Sequence, residues 1–437
     1  MTTHPLSIHP ADGQLGVLLP GMGAVATTMM AGVLLARRHQ ALAVWSLTQM
    51  GMLQVGTAAG ERFARIADAV PLTALGQLEF GGWDIFPDSA WEAAQHAKVV
   101  DQGHLAAVQS ELEAIRPMPA ACYPGYVKRL HGTHLKTARS KAEMVEQLRQ
   151  DIRDFKSERG CKRLVSIWCG STEAWRSPTE VHRTVRSFEA GLAKDDEGIS
   201  NAQLYAWALL QERVPFANGS PNLCVDFPAA RELADELRVP VVGKDLKTGQ
   251  TLVKTILAPG LRARALGLAG WYSTNILGNR DGEVLDDPGS YHAKELSKLG
   301  VLEQILQPDL HPELYGEIVH KVRIEYYRPR GDAKEGWDHV DLVGWLGYPM
   351  QLRINFSCRD SILAAPLVLD LALLLDLAAR AGFHGTQEWL GLYFKSPMTA
   401  REPAAAEHDV FRQRAAFDST LRKLVGASHG PAAAERR

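Results

Sequence analysis

Short apolar runs alternate with charged, helix-like stretches through the first part of the chain. The helix-like stretches carry charges at spacings of three and four residues, as between Lys141 and Lys156, which is the period of an exposed helical face. Strands that alternate with helices favour a parallel, doubly wound α/β sheet. The predicted strands lie at residues 15–19, 43–47, 164–168 and 239–242.

The pattern changes to strict alternation of apolar and polar residues between residues 251 and 360. A period of two is typical of an antiparallel sheet with one covered face. After residue 361 a long apolar helix resumes the earlier style. We therefore predict a first α/β domain over residues 1–250, an inserted α+β domain over 251–360, and a return to the first domain, with a C-terminal tail, over 361–437. The alternating apolar positions are Val322, Ile324 and Tyr326, then Leu352, Ile354 and Phe356.

Two apolar stretches are long enough to be compared with membrane-spanning helices. Residues 13–36 carry no charge, but Pro20, Gly21 and Gly23 interrupt them, so a strand, a tight turn and a helix are predicted instead. Residues 362–377 contain two aspartates and are predicted to form a buried core helix. We therefore expect no membrane partner.

The composition is typical of a globular chain with a sizeable core. Hydrophobic residues make up 46% of the 437 residues and charged residues 22%, which excludes a wholly disordered chain. The formal net charge of -2, from 48 basic and 50 acidic residues, argues against a nucleic-acid binder, since such a protein presents a basic surface.

The cysteines are scattered and form no C-x-x-C pair, which fits neither a disulfide framework nor a zinc site. The N-terminus has no basic region followed by a short apolar run, so no signal peptide is predicted. Reduced thiols and the lack of a leader lead us to expect a cytoplasmic protein. No histidine pattern requires a metal, and no G-x-S-x-G sequence indicates an α/β-hydrolase. The five cysteines are Cys122, Cys161, Cys169, Cys224 and Cys358.

A glycine-rich turn follows the first predicted strand. The sequence GMGAVA at residues 21–26 fits G-x-G-x-x-A in a strand–turn–helix context. The first glycine makes the tight turn, the second lets the backbone approach a pyrophosphate, and the small third residue lets helix and strand pack closely. This context favours a Rossmann-like dinucleotide site over a tight turn without a ligand.

Two observations bear on which dinucleotide binds. No Asp or Glu ends the predicted strand at 43–47, where an acidic residue ordinarily binds the ribose hydroxyls of NAD. Ribose recognition is therefore expected to depart from that scheme. Apart from Arg37 and Arg38, no arginine near this position is placed for the 2′-phosphate of NADP, so NAD is favoured.

Three further segments combine turn residues with groups that bind anions. NGSPN at 218–222 and GKDLKTGQT at 243–251 supply amides, hydroxyls and lysines, and the second follows a predicted strand, at the sheet edge where open α/β folds bind ligands. Lys294 and Lys298 are four residues apart and share a helix face. Neighbouring ammonium groups lower each other's pKa, which suits acid–base work near neutral pH. Taken singly, each segment also fits an ordinary turn or a solvated helix face.

In their order along the chain these segments resemble the myo-inositol-phosphate synthase family. The similarity spans nearly the whole chain, and GKDLKTGQT and RDSILAAPLVLDL are its most specific parts. The similar segments are GMGAVATT, SLTQ at 46–49, GGWDI at 81–85, NGSPN, GKDLKTGQT, NILGNRDG at 275–282, KELSK at 294–298, GDAK at 331–334, SCRDSILAAPLVLDL at 357–371 and the segment around Lys395.

The resemblance implies a Rossmann-like domain interrupted by an inserted catalytic and oligomerisation domain, in a homotetramer. It also implies NAD as the cofactor and an isomerisation of D-glucose 6-phosphate to 1D-myo-inositol 3-phosphate, for inositol and phospholipid biosynthesis. The steps would be oxidation at C5, enolisation, aldol closure onto C1 and reduction. Lysines suit this chemistry because they donate protons and stabilise oxyanions.

The resemblance also assigns roles to individual residues, and no metal ligand is among them. The near-neutral net charge would then conceal a cationic pocket, formed by Lys244 and Lys247 together with the catalytic lysines. The expected catalytic residues are Lys294, Lys298, Lys334 and Lys395. The expected cofactor contacts are Gly21, Met22, Gly23, Ala24, Val25, Asp84, Ser171, Thr172, Asp245, Asp281, Asp332, Asp360 and Ser361. The expected substrate contacts are Ser220, Lys247, Gln250, Thr251, Asn279 and Lys298.

Three positions depart from the eukaryotic members of the family. Lys244 stands where they have Asp, Arg280 where they have Asn, and residues 24–26 where they have an Asn-rich turn. The strict identity of the substrate is therefore left open. The alternatives are a related NAD-dependent enzyme that acts on another sugar phosphate, and a non-catalytic NAD-binding regulatory protein.

Overall fold

A seven-stranded sheet forms the centre of the fold, and the computed structural model describes it together with a four-stranded and a two-stranded sheet. The described residues are 7–39, 45–56, 62–287, 300–401 and 405–428. The strands are β1 (Gln14–Pro20), β2 (Met52–Val55), β3 (Arg62–Arg65), β4 (Leu78–Asp84), β5 (Met118–Pro119), β6 (Cys161–Trp168), β7 (Phe216–Asn218), β8 (Pro240–Gly243), β9 (Gly267–Leu277), β10 (Val319–Tyr326), β11 (Ala333–Val343), β12 (Pro349–Arg359) and β13 (Gly385–Thr386). The helices are α1 (Ala24–Arg37), α2 (Leu47–Met50), α3 (Ile66–Ala69), α4 (Ala90–Ala97), α5 (Gln102–Ala107), α6 (Gln109–Ala114), α7 (Lys141–Glu158), α8 (Val185–Ala193), α9 (Asn201–Gln211), α10 (Pro228–Glu236), α11 (Gly249–Ala263), α12 (Arg280–Leu285), α13 (Pro312–Tyr315), α14 (Asp360–Arg380) and α15 (Val410–Ser428), with a further helical segment at 300–306.

The seven-stranded sheet has the order β13-β8-β7-β6-β1-β4-β5, and its paired strands run parallel. The predicted doubly wound α/β fold is therefore confirmed. The predicted strand at 43–47 is wrong at its described end, because Leu47 begins α2, and residues 43 and 44 lie outside the described residues. The neighbours of β1 are β6 and β4, and β4 ends at Asp84.

Apolar side chains cover both faces of this sheet. Leu15 and Val17 of β1 point into a core with α1 and α14, whereas Leu18 points into a core with α7 and α9, as the alternation of a strand requires. By length and composition α14 could cross a membrane, but 72% of its apolar window is buried inside the fold. It is the core helix that was predicted at 362–377.

The helix α14 carries two buried aspartates, and both bind other elements. Asp370 accepts the backbone N–H groups of Leu47 and Thr48, each at 2.9 Å, and so caps α2. Burial raises the pKa of Asp370, while its hydrogen bonds oppose that rise. Asp376 lies 2.7 Å from Nε of Arg163 in β6. These contacts fix α14 against the sheet and explain the SLTQ segment as a structural motif.

The second sheet, β10-β9-β11-β12, lies within residues 251–360. The strands β9, β11 and β12 pair antiparallel as predicted, but β10 pairs parallel with β9, because the chain crosses over through α12, α13 and the helical segment between them. Trp271 and Val340 on one face pack against Ala258 of α11. Since β13 rejoins the first sheet afterwards, we propose 251–360 as an inserted domain.

Candidate active site

A cavity of about 870 Å³ lies at the carboxyl ends of the parallel strands. It is lined by the turns after β1, β4, β6 and β7 and also by residues at the start of β11 and α14. Open α/β sheets bind their ligands at this edge. The first sheet and the segment 251–360 therefore share the site.

The glycine turn after β1 forms one wall of the cavity. Gly21 has a φ of +87°, and a Cβ there would lie 2.4 Å from Cα of Gly170, so only glycine fits. At Gly23 a Cβ would meet open space, and no side chain among the described residues caps α1. Uncapped N–H groups at a helix N-terminus bind phosphates, so the turn fits a dinucleotide pyrophosphate. The expected contacts that line the cavity here are Gly21, Met22, Gly23, Ala24 and Val25.

The carboxylate of Asp84 faces this turn from the end of β4. Its Oδ2 accepts the N–H of Met22 at 2.7 Å, and its Oδ1 accepts the N–H of Phe86 at 3.1 Å. Burial raises the pKa of Asp84, while these bonds and the nearby Arg280 oppose the rise. An acid at the end of the strand beside β1 is the usual ribose-binding arrangement. The expectation that no acidic residue stands at the ribose-binding position is wrong. The strand that lies beside β1 and ends in an acid is β4, and not the predicted strand at 43–47.

The turns after β6 and β7 are tied together by Asn222. Its Nδ2 donates to the carbonyl of Ser171 at 3.0 Å, and its Oδ1 accepts the N–H of Glu173 at 2.8 Å. Its own N–H donates to Oγ of Ser220 at 3.2 Å. The NGSPN segment therefore shapes the cavity instead of forming an ordinary surface turn. Ser171, Thr172 and Ser220 line the cavity.

Lys395 and Asp245 form a buried ion pair in the cavity wall. The distance from Nζ to Oδ1 is 2.9 Å, and the two side chains are 6% and 2% exposed. The N–H of Lys395 also donates to the carbonyl of Asp245 at 2.7 Å. Since both residues line the cavity, the backbone and the ion pair together hold an ammonium group where a ligand would lie.

Asp360, the first residue of α14, forms a second lysine–carboxylate pair. Its Oδ1 lies 3.4 Å from Nζ of Lys334 and accepts the hydroxyl of Thr248 at 3.0 Å. Nζ of Lys334 also lies 3.8 Å from the point that a Cβ on Gly249 would occupy. The pair thus joins β11, the start of α11 and the start of α14 at the cavity.

Asp332 connects three elements beside this second pair. Its Oδ1 accepts the hydroxyl of Ser361 at 2.7 Å and Nδ2–H of Asn279 at 3.2 Å. Asn279 in turn caps α12 by accepting the N–H of Gly282 at 3.0 Å. Burial raises the pKa of Asp332, and the charge of Asp360 acts in the same direction. Asp332, Asp360, Ser361 and Asn279 all line the cavity.

Of the four lysines expected to be catalytic, two lie among the described residues and two do not. Lys334 and Lys395 belong to the two lysine–carboxylate pairs. Lys294 and Lys298 lie outside the described residues, so their roles stay predictions. Asp281 belongs to α12.

Known proteins resemble this chain over nearly its whole length. The sequence profile of the myo-inositol-1-phosphate synthase family matches residues 15–422. The chain belongs to this family. It is 51% identical to inositol-3-phosphate synthase 1 of Bacteroides thetaiotaomicron over 96% of this chain and 97% of that one. It is 34% identical to inositol-3-phosphate synthase 1 of Homo sapiens over 96% of this chain and 82% of that one.

A solved structure from the myo-inositol-1-phosphate synthase family extends the match to three dimensions. The crystal structure of inositol-3-phosphate synthase from Caenorhabditis elegans aligns with a TM-score of 0.89 at 25% identity. The alignment covers 96% of this chain and 87% of that chain. The family resemblance and the predicted fold class are both confirmed.

Two lysines of this family member do not join the cationic pocket that was expected. Nζ of Lys244 lies 2.5 Å from Oδ2 of Asp226. Burial acts to lower the pKa of Lys244, but Asp226 outweighs it and the pKa is raised. Nζ of Lys247 donates to Oε1 of Gln413 in α15 at 2.5 Å. Lys247 thus faces the C-terminal helix in this structure, and its expected contact with the substrate stays a prediction.

Gln250 and Thr251 are also placed differently from the expectation. Nε2 of Gln250 donates to Oδ2 of Asp338 at 2.9 Å and to the carbonyl of Trp337 at 3.2 Å, and its Oε1 accepts Nδ2–H of Asn275. Thr251 is buried in α11, and the described lining of the cavity includes neither residue. The amide of Gln250 therefore joins α11 to the second sheet, and the expected substrate contacts of Gln250 and Thr251 stay predictions.

The cavity of this family member also contains charged residues that sequence patterns did not reveal. Burial raises the pKa of Glu173, whose Oε1 accepts the N–H of Ala202 at 2.9 Å. In the sequence, Glu173 is a single acidic residue in a turn, and no local pattern distinguishes such a residue from one at the surface. The site is therefore of mixed charge, not purely cationic. The charged residues of the lining that the sequence analysis did not name are Asp88, Lys98, Glu173, Arg328, Arg330 and Arg359.

The burial of Lys247 predicts a dependence of stability on pH. Burial lowers the pKa of Lys247 from 10.5 to about 7. Between these values the unfolded chain binds a proton that the folded protein does not, so the free energy of unfolding rises with pH in this window. We expect Lys247→Met to remove up to about 1.4 kcal/mol per pH unit of this slope, measured by urea unfolding at several pH values.

The matched control for this experiment is Lys162→Met. Lys162 is 61% exposed and pairs with Asp12 at the surface, so its replacement is expected to leave the slope unchanged. Equal slopes for wild type and Lys247→Met would contradict the assignment of this titration to Lys247.

Proposed function

We propose that this chain catalyses the NAD-dependent cyclisation of D-glucose 6-phosphate to 1D-myo-inositol 3-phosphate. The enzyme is an isomerase of the intramolecular lyase type. The observation that carries the proposal is that the Lys395–Asp245 pair lies in the wall of the cavity that holds the dinucleotide turn, while a second pair, Lys334–Asp360, meets the same cavity through Asp360. Family membership supplies the reaction, and these pairs supply groups able to perform its proton transfers.

The residues at the glycine turn would hold NAD. The open N-terminus of α1 binds the pyrophosphate, and Asp84 binds ribose hydroxyls of the adenosine. Asp360 and Ser361 begin α14 within the same cavity, and by family resemblance they lie near the nicotinamide. When bound, NAD supplies the oxidation and the later reduction of one sugar carbon, so that the whole reaction shows no net redox change.

The lysines act on the protons and oxyanions of the sugar. The ammonium groups of Lys395 and Lys334 donate protons to oxygens that gain negative charge and stabilise them electrostatically. Asp245 and Asp360 hold these ammonium groups in place through the two ion pairs. By family resemblance Lys294 and Lys298 complete the set, with Lys298 at the substrate phosphate. Ser220 and Asn279 line the cavity and would hydrogen-bond the sugar phosphate.

A conversion assay tests the proposed reaction directly. Purified full-length protein is given D-glucose 6-phosphate and a catalytic amount of NAD, and the product is identified by NMR. We expect an inositol phosphate without accumulation of NADH. Net NADH, or turnover only of another sugar phosphate, would favour the related dehydrogenase-type activity. Binding of NAD without any turnover would favour a regulatory protein.

Replacement of Lys395 tests its catalytic role. Lys395→Met keeps the bulk of the side chain but removes the ammonium group, so turnover is expected to fall at least about 100-fold, while the Kd for NAD changes less than about threefold. Thermal unfolding checks the fold, since Asp245 loses its partner. Lys162→Met, at the exposed pair with Asp12, is the control. Wild-type turnover in Lys395→Met would remove this lysine from the mechanism.

The second sheet supports the proposed homotetramer. The turn between β11 and β12 exposes Trp345, Leu346 and Tyr348 by 86%, 78% and 68%, and contiguous apolar exposure of this kind marks an interface. Light scattering is expected to give four times the mass of one 47.9-kDa chain. A variant with all three residues changed to Ser is expected to have a lower mass, unlike Phe411→Ser in α15. A monomeric wild type would contradict the tetramer.

The five cysteines support a cytoplasmic location. All of them lie among the described residues and are free thiols, as expected in a reducing compartment. An enzyme in that compartment would supply inositol phosphate for inositol and phospholipid biosynthesis.

A further inference from the structure

Arg280 reaches the adenosine end of the cavity from the segment 251–360. It is the first residue of α12, and its Cζ lies 4.4 Å from the centroid of the Phe86 ring. Phe86 follows the end of β4 and donates its N–H to Asp84. Arg280, Phe86 and Asp84 all line the cavity. A cation is therefore held beside the strand end at which the adenosine ribose binds in this type of fold.

The charges at this end of the cavity are of both signs. Each oxygen of Asp84 accepts one backbone N–H, which keeps the carboxylate beside the glycine turn. Burial raises the pKa of Asp84, and Arg280 is close enough to oppose that rise. A carboxylate alone accepts ribose hydroxyls and repels a 2′-phosphate, whereas an arginine nearby accommodates the phosphate.

The contact with Phe86 leaves the hydrogen-bonding capacity of Arg280 intact. A cation over an aromatic face is held by the electrons of the ring and uses none of its N–H donors. The planar guanidinium therefore keeps the geometry that binds a phosphate through two hydrogen bonds. Other arginines of the lining are engaged differently, since Arg330 pairs with Glu335 and Arg359 donates to the carbonyl of Lys98.

We propose that Arg280 sets the choice of dinucleotide, so that this chain binds NADP as well as NAD. Asp84 accepts the ribose hydroxyls of NAD, and the guanidinium of Arg280 neutralises and binds the 2′-phosphate of NADP. This inference rests on the proposed dinucleotide site and goes beyond the proposed reaction, which needs only NAD.

Titration calorimetry of the full-length protein with NAD and with NADP tests the proposal independently of turnover. Wild type is expected to bind NADP with a Kd within about tenfold of that for NAD. In Arg280→Asn the Kd for NADP is expected to rise about 10- to 100-fold, the effect of losing hydrogen bonds to a charged group. The Kd for NAD is expected to rise less than about threefold. Arg280→Lys keeps the charge without the planar fork and is expected to bind NADP with intermediate affinity.

The matched control is Arg38→Asn, because Arg38 is an exposed arginine that pairs with Glu111. Both Kd values are expected to stay unchanged in this variant, and near-ultraviolet circular dichroism checks the fold of each protein. Wild type that binds NAD but not NADP, or an Arg280→Asn variant that changes both Kd values equally, would overturn the proposal. Wild type that binds neither dinucleotide would overturn the proposed function together with it.

Discussion

The burial of charge in α14 is the constraint on which both the fold and the site depend. Asp370 and Asp376 lie inside the apolar core, where an unpartnered carboxylate is costly. The helix is therefore fixed in the position at which the start of α2 and Arg163 satisfy them. That position also sets where α14 begins. Asp360 and Ser361, its first residues, consequently enter the cavity with a geometry that the core determines.

Among the described residues at the cavity wall, the ammonium groups of Lys395 and Lys334 are held beside carboxylates. Opposite charges interact strongly where water is largely excluded, so each pair keeps its geometry while a proton moves or an oxyanion forms. Lys395 with Asp245 and Lys334 with Asp360 draw on four separate segments of the chain. A tight cluster of lysines would repel itself and would need a ligand to stay together. The pairs are stable before a ligand arrives, and this preorganisation is what favours catalysis.

Local patterns were sufficient for the α/β class, for the three strands β1, β6 and β8 of the parallel sheet and for the glycine turn, because a buried strand and a turn at Gly21 each leave a signature in a few consecutive residues. They could not place Asp84, because no local pattern states which strand lies beside β1. The motif GKDLKTGQT contributes Asp245, Leu246 and Thr248 to the lining of the cavity, yet its side chains diverge. Asp245 faces the cavity, while Lys247 binds α15 and Gln250 binds the second sheet. The direction in which each of these side chains points is decided by its packing against elements that are distant in the sequence.

Lys244 and Arg280, the two single positions at which the family resemblance led us to expect departures, lie in different physical settings. Lys244 is paired with Asp226, with the two side chains 25% and 11% exposed, and a largely buried charge is reversed at low cost only when its partner changes as well. A lysine at position 244 therefore affects how the segment 243–251 packs against Asp226. Arg280 instead lies over Phe86 in the cavity wall, where a guanidinium in place of an amide adds charge within reach of a ligand without disturbing the core. Cofactor preference diverges most directly through positions of the second kind, because groups that face the cavity contact the ligand themselves.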